Sequence, residues 1–336
     1  MKTTFTSLPV CAALFLCWPA LAFTQSVPDP EAPPQSNAAP PAQEPAPTSV
    51  PAQAPDSQTA VPPPEPPPPA AFQNPIPAGH LAFLKDYDGK MPDELHKDKR
   101  FRELEKQVTP STRYFYHRDK ELSEARDEVF ENQPLPISVR DGRFVMVGTA
   151  GGPDAHMNGR GFLWFDIQQG IGLGGIYFHP TNGEPTPTLA IFSRQLTDNS
   201  LSMGQLPPDF LQDFSQWASL AAVKTISPRY FIPTNGKKYV LLHDEDYCWH
   251  PENAAAPPKD ECEEMNAEAA DVDMDAAYFM QQTHNAADAT AFMLGPDQVA
   301  WIGVRERTCG AGLSCRIRIT RERTRVLVGA RPRVGR

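Results

Sequence analysis

Beyond its opening stretch this sequence has no apolar run approaching the 18 or more residues that a membrane-spanning helix requires. Positive charge is in deficit: 31 Lys and Arg stand against 41 Asp and Glu, a formal net charge of -10, which argues against nucleic acid and favours cationic partners. Cysteine is sparse, and of the 6 present Cys11 and Cys17 lie in the opening apolar stretch, leaving Cys248, Cys262, Cys309 and Cys315. Signatures of chemistry are also missing. His156, Asp166, His179 and Ser193 are the residue types of a hydrolase triad, but no Gly-x-Ser-x-Gly elbow surrounds Ser193. Gly170-Ile-Gly172-Leu-Gly174-Gly175 leads into the β-rich Ile176-Tyr-Phe178, so the helix N-terminus that holds a pyrophosphate is absent from the pattern. Asp86-Tyr-Asp88-Gly89 opens like a calcium loop, yet its twelfth position is Lys97. His243-Asp-Glu-Asp246 with His250 reads as an acidic turn leading into a disulfide rather than a metal site. The expectation is a protein without catalytic, cofactor or metal residues.

What is present sorts into segments. Residues 1–22 carry Lys2, an apolar stretch from Leu8 to Trp18 and the small-residue Ala20-Leu-Ala22, the pattern of a secretory signal peptide. Neither Cys11 nor Cys17 has a small residue just before it, as a lipoprotein cleavage site needs. Residues 23–78 are Pro- and Ala-rich, too poor in apolar side chains to offset the entropy of ordering, and read as a disordered tether. Residues 79–134 read as short helices broken at Gly89, Pro92 and Pro110. Export makes disulfides the default state of the four remaining cysteines.

Residues 135–247 read as an α+β domain. Short β-rich runs at 144–147, 162–165, 176–178 and 189–192 are separated by Gly and Pro clusters. Phe210, Phe214, Trp217 and Ala221 share one helical face between them. Tyr177-Phe-His-Pro-Thr-Asn-Gly183 is echoed by Tyr230-Phe-Ile-Pro-Thr-Asn-Gly236, and each Asn-Gly suits a type I′ hairpin turn. Tyr247 and Trp249 flank Cys248, where they would pack on its bridge.

Residues 248–330 read as a small disulfide-linked all-α domain, followed by a basic tail at 331–336. Ala270, Met274, Ala277, Tyr278 and Gln281 share one helix face, and Gln298, Trp301, Ile302, Arg305 and Cys309 form a stripe on another, with Pro296 as its first helical residue. If the two helices are antiparallel and Cys262 pairs with Cys309, Cys248 is left for Cys315. Asp271 then lies level with Trp301, to accept from its indole or from the Gln298 amide, while Arg305 sits near Glu263 and Asn266.

The four cysteines, Asp271-x-x-Met274-x-x-x-Tyr278, the Gln298, Trp301, Arg305 helix and the final Arg323 and Leu327 resemble, in this order, the LprI-like lysozyme-inhibitor domain family. Met274 and Asp275 depart from the Leu and Asn usual there. The resemblance covers about residues 248–327 and implies a periplasmic or secreted binding protein whose partner is a cationic lysozyme, the motif residues serving stability. A cell-envelope scaffold binding wall components is the second reading and a hydrolase in the middle domain the third.

Overall fold

The computed structural model describes residues 70–151, 158–244, 247, 258–284 and 289–329, so the segment expected as a signal peptide, most of that expected as a tether, Cys248, Trp249, His250 and residues 331–336 lie outside the described residues. All described residues fall in one compact unit. Its class is α+β: a mixed sheet with helices on both faces, and a C-terminal region that is entirely helical.

The chain begins with helix α1 (Ala78–Leu81), a 3-10 turn (Ala82–Tyr87), α2 (Pro92–Lys97) and α3 (Lys99–Val108). Pro92 stands at the start of α2, where its missing N–H costs no hydrogen bond. Asp98 caps α3 by accepting from the Arg100 main-chain N–H at 2.8 Å. The expected all-helical character of 79–134 fails after Pro110. Strands β1 (Arg113–Tyr116) and β2 (Arg118–Glu121) form a hairpin before α4 (Leu122–Phe130). The cause is a period of two: Tyr114 and Tyr116 point into the core from an aromatic strand, and His117 takes a positive φ of 59° at the tip.

Eight strands build the sheet: β3 (Ser138–Arg140), β4 (Phe144–Gly148), β5 (Arg160–Asp166), β6 (Ile171–Phe178), β7 (Thr188–Phe192), β8 (Leu201–Ser202), β9 (Arg229–Ile232) and β10 (Tyr239–Leu242), in the order β3-β4-β5-β6-β7-β9-β10-β8. Neighbours are antiparallel except β7 with β9 and β10 with β8. The β5–β6 turn is fixed locally, because Asp166 accepts from the main chain of Gln168 and Gln169 and is gripped by Arg143 at 2.9 and 2.7 Å.

Side chains alternate between two cores. Phe144, Phe162, Trp164, Leu173, Ile191 and Phe231 face helix α5 (Pro208–Leu220), which supplies Phe210, Phe214 and Trp217. Val145, Leu163, Phe165, Ile176, Phe192 and Ile232 face α3 and α4 on the other side. Strands buried on both faces read as continuous apolar runs, which is why they stood out without clear alternation. The glycine run is a packing device: a Cβ on Gly174 would stand 2.2 Å from the Phe192 ring, and one on Gly175 2.3 Å from Phe162.

The echoed segments flank β7 as β6 and β9, but they are not tight type I′ hairpins. Only the glycines, Gly183 at φ 88° and Gly236 at φ 70°, are left-handed, and the connections run from Phe178 to Thr188 and from Ile232 to Tyr239. The shared chemistry is an Asx turn, with Asn182 accepting from Glu184 N–H and Asn235 from Lys237 N–H. Tyr177 faces the α5 core whereas Tyr230 faces the C-terminal helices, so the two copies present opposite faces of the sheet.

The tether expected to extend to Ala78 ends earlier. Ala71, Phe72 and Ile76 are buried, Gln73 N–H donates to Gln195 at 2.8 Å, and Ile76 N–H donates to Gly170 at 2.8 Å. Three apolar residues among prolines are enough to dock once the segment after β7 and the β5–β6 turn offer them main-chain partners. Limited proteolysis followed by N-terminal sequencing should therefore stop near residue 70, not at His80; a resistant core starting at 80 would contradict this docking.

Candidate binding surface on the C-terminal helices

Three helices follow the sheet: α6 (Lys259–His284), α7 (Ala289–Cys309) and α8 (Leu313–Gly329). Pro296, expected as a first helical residue, lies inside α7, where it removes one main-chain hydrogen bond. The α6 face made by Met274, Ala277 and Met280 packs with Leu327 onto Tyr230 and Val240 of the sheet. A second anchor is a hydrogen-bonded pair: His243 Nδ1 lies 2.7 Å from Asp273, and the His243 main-chain N–H donates to the same carboxylate at 2.9 Å. His243 thus serves as a buried tie between β10 and α6, while Asp244 accepts from Gly204 N–H. Glu245, Asp246 and His250 lie outside the described residues.

The fold brings the motif residues together at the junction of α6, α7 and α8. Arg305 is buried and donates to Asp271 at 2.6 Å and to Thr320 at 2.9 Å, joining all three helices. Its neighbour on α8, Arg316, approaches Asp271 at 3.6 Å. Gln298 accepts from Arg323 Nε at 3.0 Å and places its amide 3.3 Å from Met274 sulfur, and Arg323 also reaches Asp297 at 2.6 Å. Trp301 is held between two guanidiniums, Arg305 at 5.3 Å and Arg323 at 5.7 Å from the ring centre. Tyr278 and Trp301 pack beside Leu327, and Gln281 donates to the Leu327 carbonyl at 2.6 Å.

Two expectations are corrected here. Asp271 accepts from Arg305, one helical turn beyond Trp301, rather than from Trp301 or Gln298. Cys309 is bonded to Cys315, not to Cys262, with the Cα atoms 5.4 Å apart. The reason is local: α7 ends at Cys309, Gly310 takes φ 52°, Gly312 N–H closes a turn onto the Cys309 carbonyl at 2.9 Å, and α8 begins at Leu313. Cys262 is also disulfide-bonded, and the expected Cys248–Cys315 bridge is excluded by the same pairing. A bridge spanning only 6 residues constrains the unfolded chain by about 2 kcal/mol rather than the roughly 4 of a long loop. Replacing Cys309 and Cys315 together by Ser should lower stability by about that amount in urea melts, and non-reducing peptide mapping should recover the 309–315 bridge.

Ile302, expected on the inward stripe, is 37% exposed, whereas Gln298 and Arg305 on the same stripe are buried. The helix turns its polar members inward because α6 and α8 meet it with charges. One side of α6 is acidic in a regular pattern: Glu261, Glu264, Glu268, Asp271 and Asp275 recur at alternating three- and four-residue spacing, within a quarter of the helix circumference, with Asp271 turned to α7 and α8. Glu261, Glu264, Glu268 and Asp275 are exposed; Glu268 pairs with Lys224 at 2.8 Å. Asp275 is exposed, but partial burial of its carboxyl and then the Asp271 carboxylate hold its pKa above the ordinary value. This stripe is legible from spacing in the sequence.

The residues of the triad do not converge on one another through their bonds. Ser193 donates to the Gly172 carbonyl at 2.7 Å, Asp166 is held by Arg143, and His179 Nδ1 lies 3.1 Å from the Thr186 hydroxyl. His156 lies outside the described residues. No group of three or more His, Cys, Asp or Glu residues that could hold a metal occurs among the described residues, and no helix among them is long and apolar enough to cross a membrane. Compared with known protein families, curated proteins and solved structures, the chain matches none.

Proposed function

We propose that this is an exported binding protein that inhibits a lysozyme through its C-terminal helices, with the acidic stripe of α6 as the docking surface. The observation that carries the reading is the stripe itself, whose four exposed carboxylates, Glu261, Glu264, Glu268 and Asp275, lie on one side of a helix whose other side is locked to the sheet. Such a surface attracts a cationic enzyme and steers its approach. The resemblance of the Asp271, Tyr278, Trp301, Arg305 and Leu327 pattern to lysozyme-inhibitor domains supplies the identity of that enzyme, and their observed contacts suit a rigid support. Asp275 adds a linked property. A cation bound beside it favours the ionised carboxyl, so binding should release a proton and weaken as the pH falls through its raised pKa.

The test is lysozyme lysis of bacterial walls in the presence of the purified chain, with direct binding measured alongside. Near-stoichiometric inhibition is expected, together with an affinity that falls as salt rises. Glu261→Lys with Glu264→Lys, both at exposed sites, should weaken inhibition at least about tenfold without changing the melting temperature. Binding to wall material without inhibition would identify a scaffold instead.

A further inference from the structure

A carboxylate stands on the apolar face of α3. Phe101, Leu104 and Val108 of that helix face the core, and Glu105, four residues after Phe101 and three before Val108, shares their stripe. Its side chain is only 9% exposed. An acid in that position costs stability unless a cation or hydrogen-bond donors meet it.

The surrounding side chains meet it only at a distance. Arg126 of α4 has its donors committed elsewhere: Nε and Nη2 donate to Asp127 at 3.0 and 2.6 Å, and Nη1 to the Thr109 hydroxyl at 2.7 Å and the Glu105 main-chain carbonyl at 3.2 Å. Its guanidinium comes no closer than 3.9 Å to the Glu105 carboxylate, and His96 Nδ1 stands 3.6 Å away, both beyond hydrogen-bond length. One guanidinium thus serves two carboxylates, and one negative charge is left over.

That charge opens on a groove of about 770 Å³ between α2, α3 and the C-terminal end of α4. Glu105 lines it, and its oxygens are not sealed from it. Phe130, Pro134 and the His96 ring, which packs edge-on to Phe130 at 5.8 Å, give it an apolar wall. The exposed rim carries Asp93 and Glu131 against Lys97 and Arg102, so its charges cancel and the inner one remains. The end of α4 adds the partial negative charge of a helix C-terminus.

We propose that this groove binds a guanidinium cation carried on an aliphatic chain, whether a free alkylguanidine or the arginine side chain of a peptide. The planar fork would pair with the Glu105 carboxylate and lie against the Phe130 and His96 rings, with the methylenes along Pro134. A guanidinium is favoured over an ammonium because it is more weakly hydrated and so gives up less on meeting a nearly buried carboxylate. A monocation is favoured over a diamine because one charge is unbalanced. The site goes beyond the lysozyme reading and shares no residue with the α6 stripe.

The experiment is calorimetric titration of the full chain with butylguanidinium, the neutral butylurea of the same shape, butylammonium and N-acetyl-arginine amide. Saturable binding of butylguanidinium is expected, with butylurea at least about tenfold weaker and butylammonium also weaker. Glu105→Gln keeps the shape, removes the charge and should weaken butylguanidinium at least about tenfold. Asp127→Asn, at an exposed position, releases Arg126 towards Glu105 and should weaken it up to about fivefold with the melting temperature unchanged, which gives a second reading if Glu105→Gln disturbs folding. Tighter binding of N-acetyl-arginine amide than of butylguanidinium would identify a peptide as the source, and weaker binding a free alkylguanidine. Absence of butylguanidinium binding at about 10 mM would overturn the proposal. Equal binding of butylurea, tighter binding of butylammonium, or full affinity in either folded variant would do the same.

Discussion

Trp164→Ala should remove about 4 kcal/mol of folding free energy, the largest single effect expected in this protein. The indole is fully buried in β5, stacked 6.0 Å from Phe144 and edge-on to Phe210 at 5.5 Å, so its loss opens a cavity between the sheet and α5. It also donates to Asp213 at 2.8 Å, and that carboxylate, nearly buried, accepts from Arg140 Nε at 2.8 Å. Trp164→Phe should keep most of the packing and lose the hydrogen bond, costing about 1–2 kcal/mol. The order Ala worse than Phe worse than wild type in urea denaturation is the signature; equal losses for the two would mean that the hydrogen bond, not the volume, carries the effect.

Arg305→Met should cost about 3 kcal/mol, because it strips the shared donor from Asp271 and Thr320 and one of the two guanidiniums from Trp301. The figure sits at the low end for a buried pair because the Asp271 side chain is 36% exposed, and water takes up part of the loss. Asp271→Asn should cost less. The double variant should cost less than the sum of the two, because one interaction is removed twice. Arg305→Lys should rescue little, since one ammonium cannot reproduce the fork that serves Asp271 and Thr320 from Nη1 and Glu306 from Nη2. Strict additivity in the cycle would show that Arg305 and Asp271 do not act through each other.

Spacing in the sequence determined much of this protein. The four β-rich runs, the Phe210, Phe214, Trp217, Ala221 helix face and the helical C-terminal region all follow from local apolar period and glycine or proline punctuation, which act over a few residues. The motif residues from Asp271 to Leu327 were legible as a set for the same reason: each sits on a helix face whose period is fixed by geometry. What lay beyond reach needed two distant segments at once. The Asp271–Arg305 pair depends on α6, α7 and α8 meeting at one point, and helix period does not encode which long side chain reaches a carboxylate one turn away. The Cys309–Cys315 bridge depends on a turn closed by Gly310 and Gly312, which antiparallel helix geometry alone does not specify. His243 needed Asp273, 30 residues on, to become a tie rather than an acidic turn, and Phe72 needed Leu196 after β7, and Ile76 the β5–β6 turn, to become part of the body. Sequence sets which faces are apolar and which residues turn the chain; burial against a partner element, which only the tertiary structure supplies, decides which charges are paired and which remain on the surface.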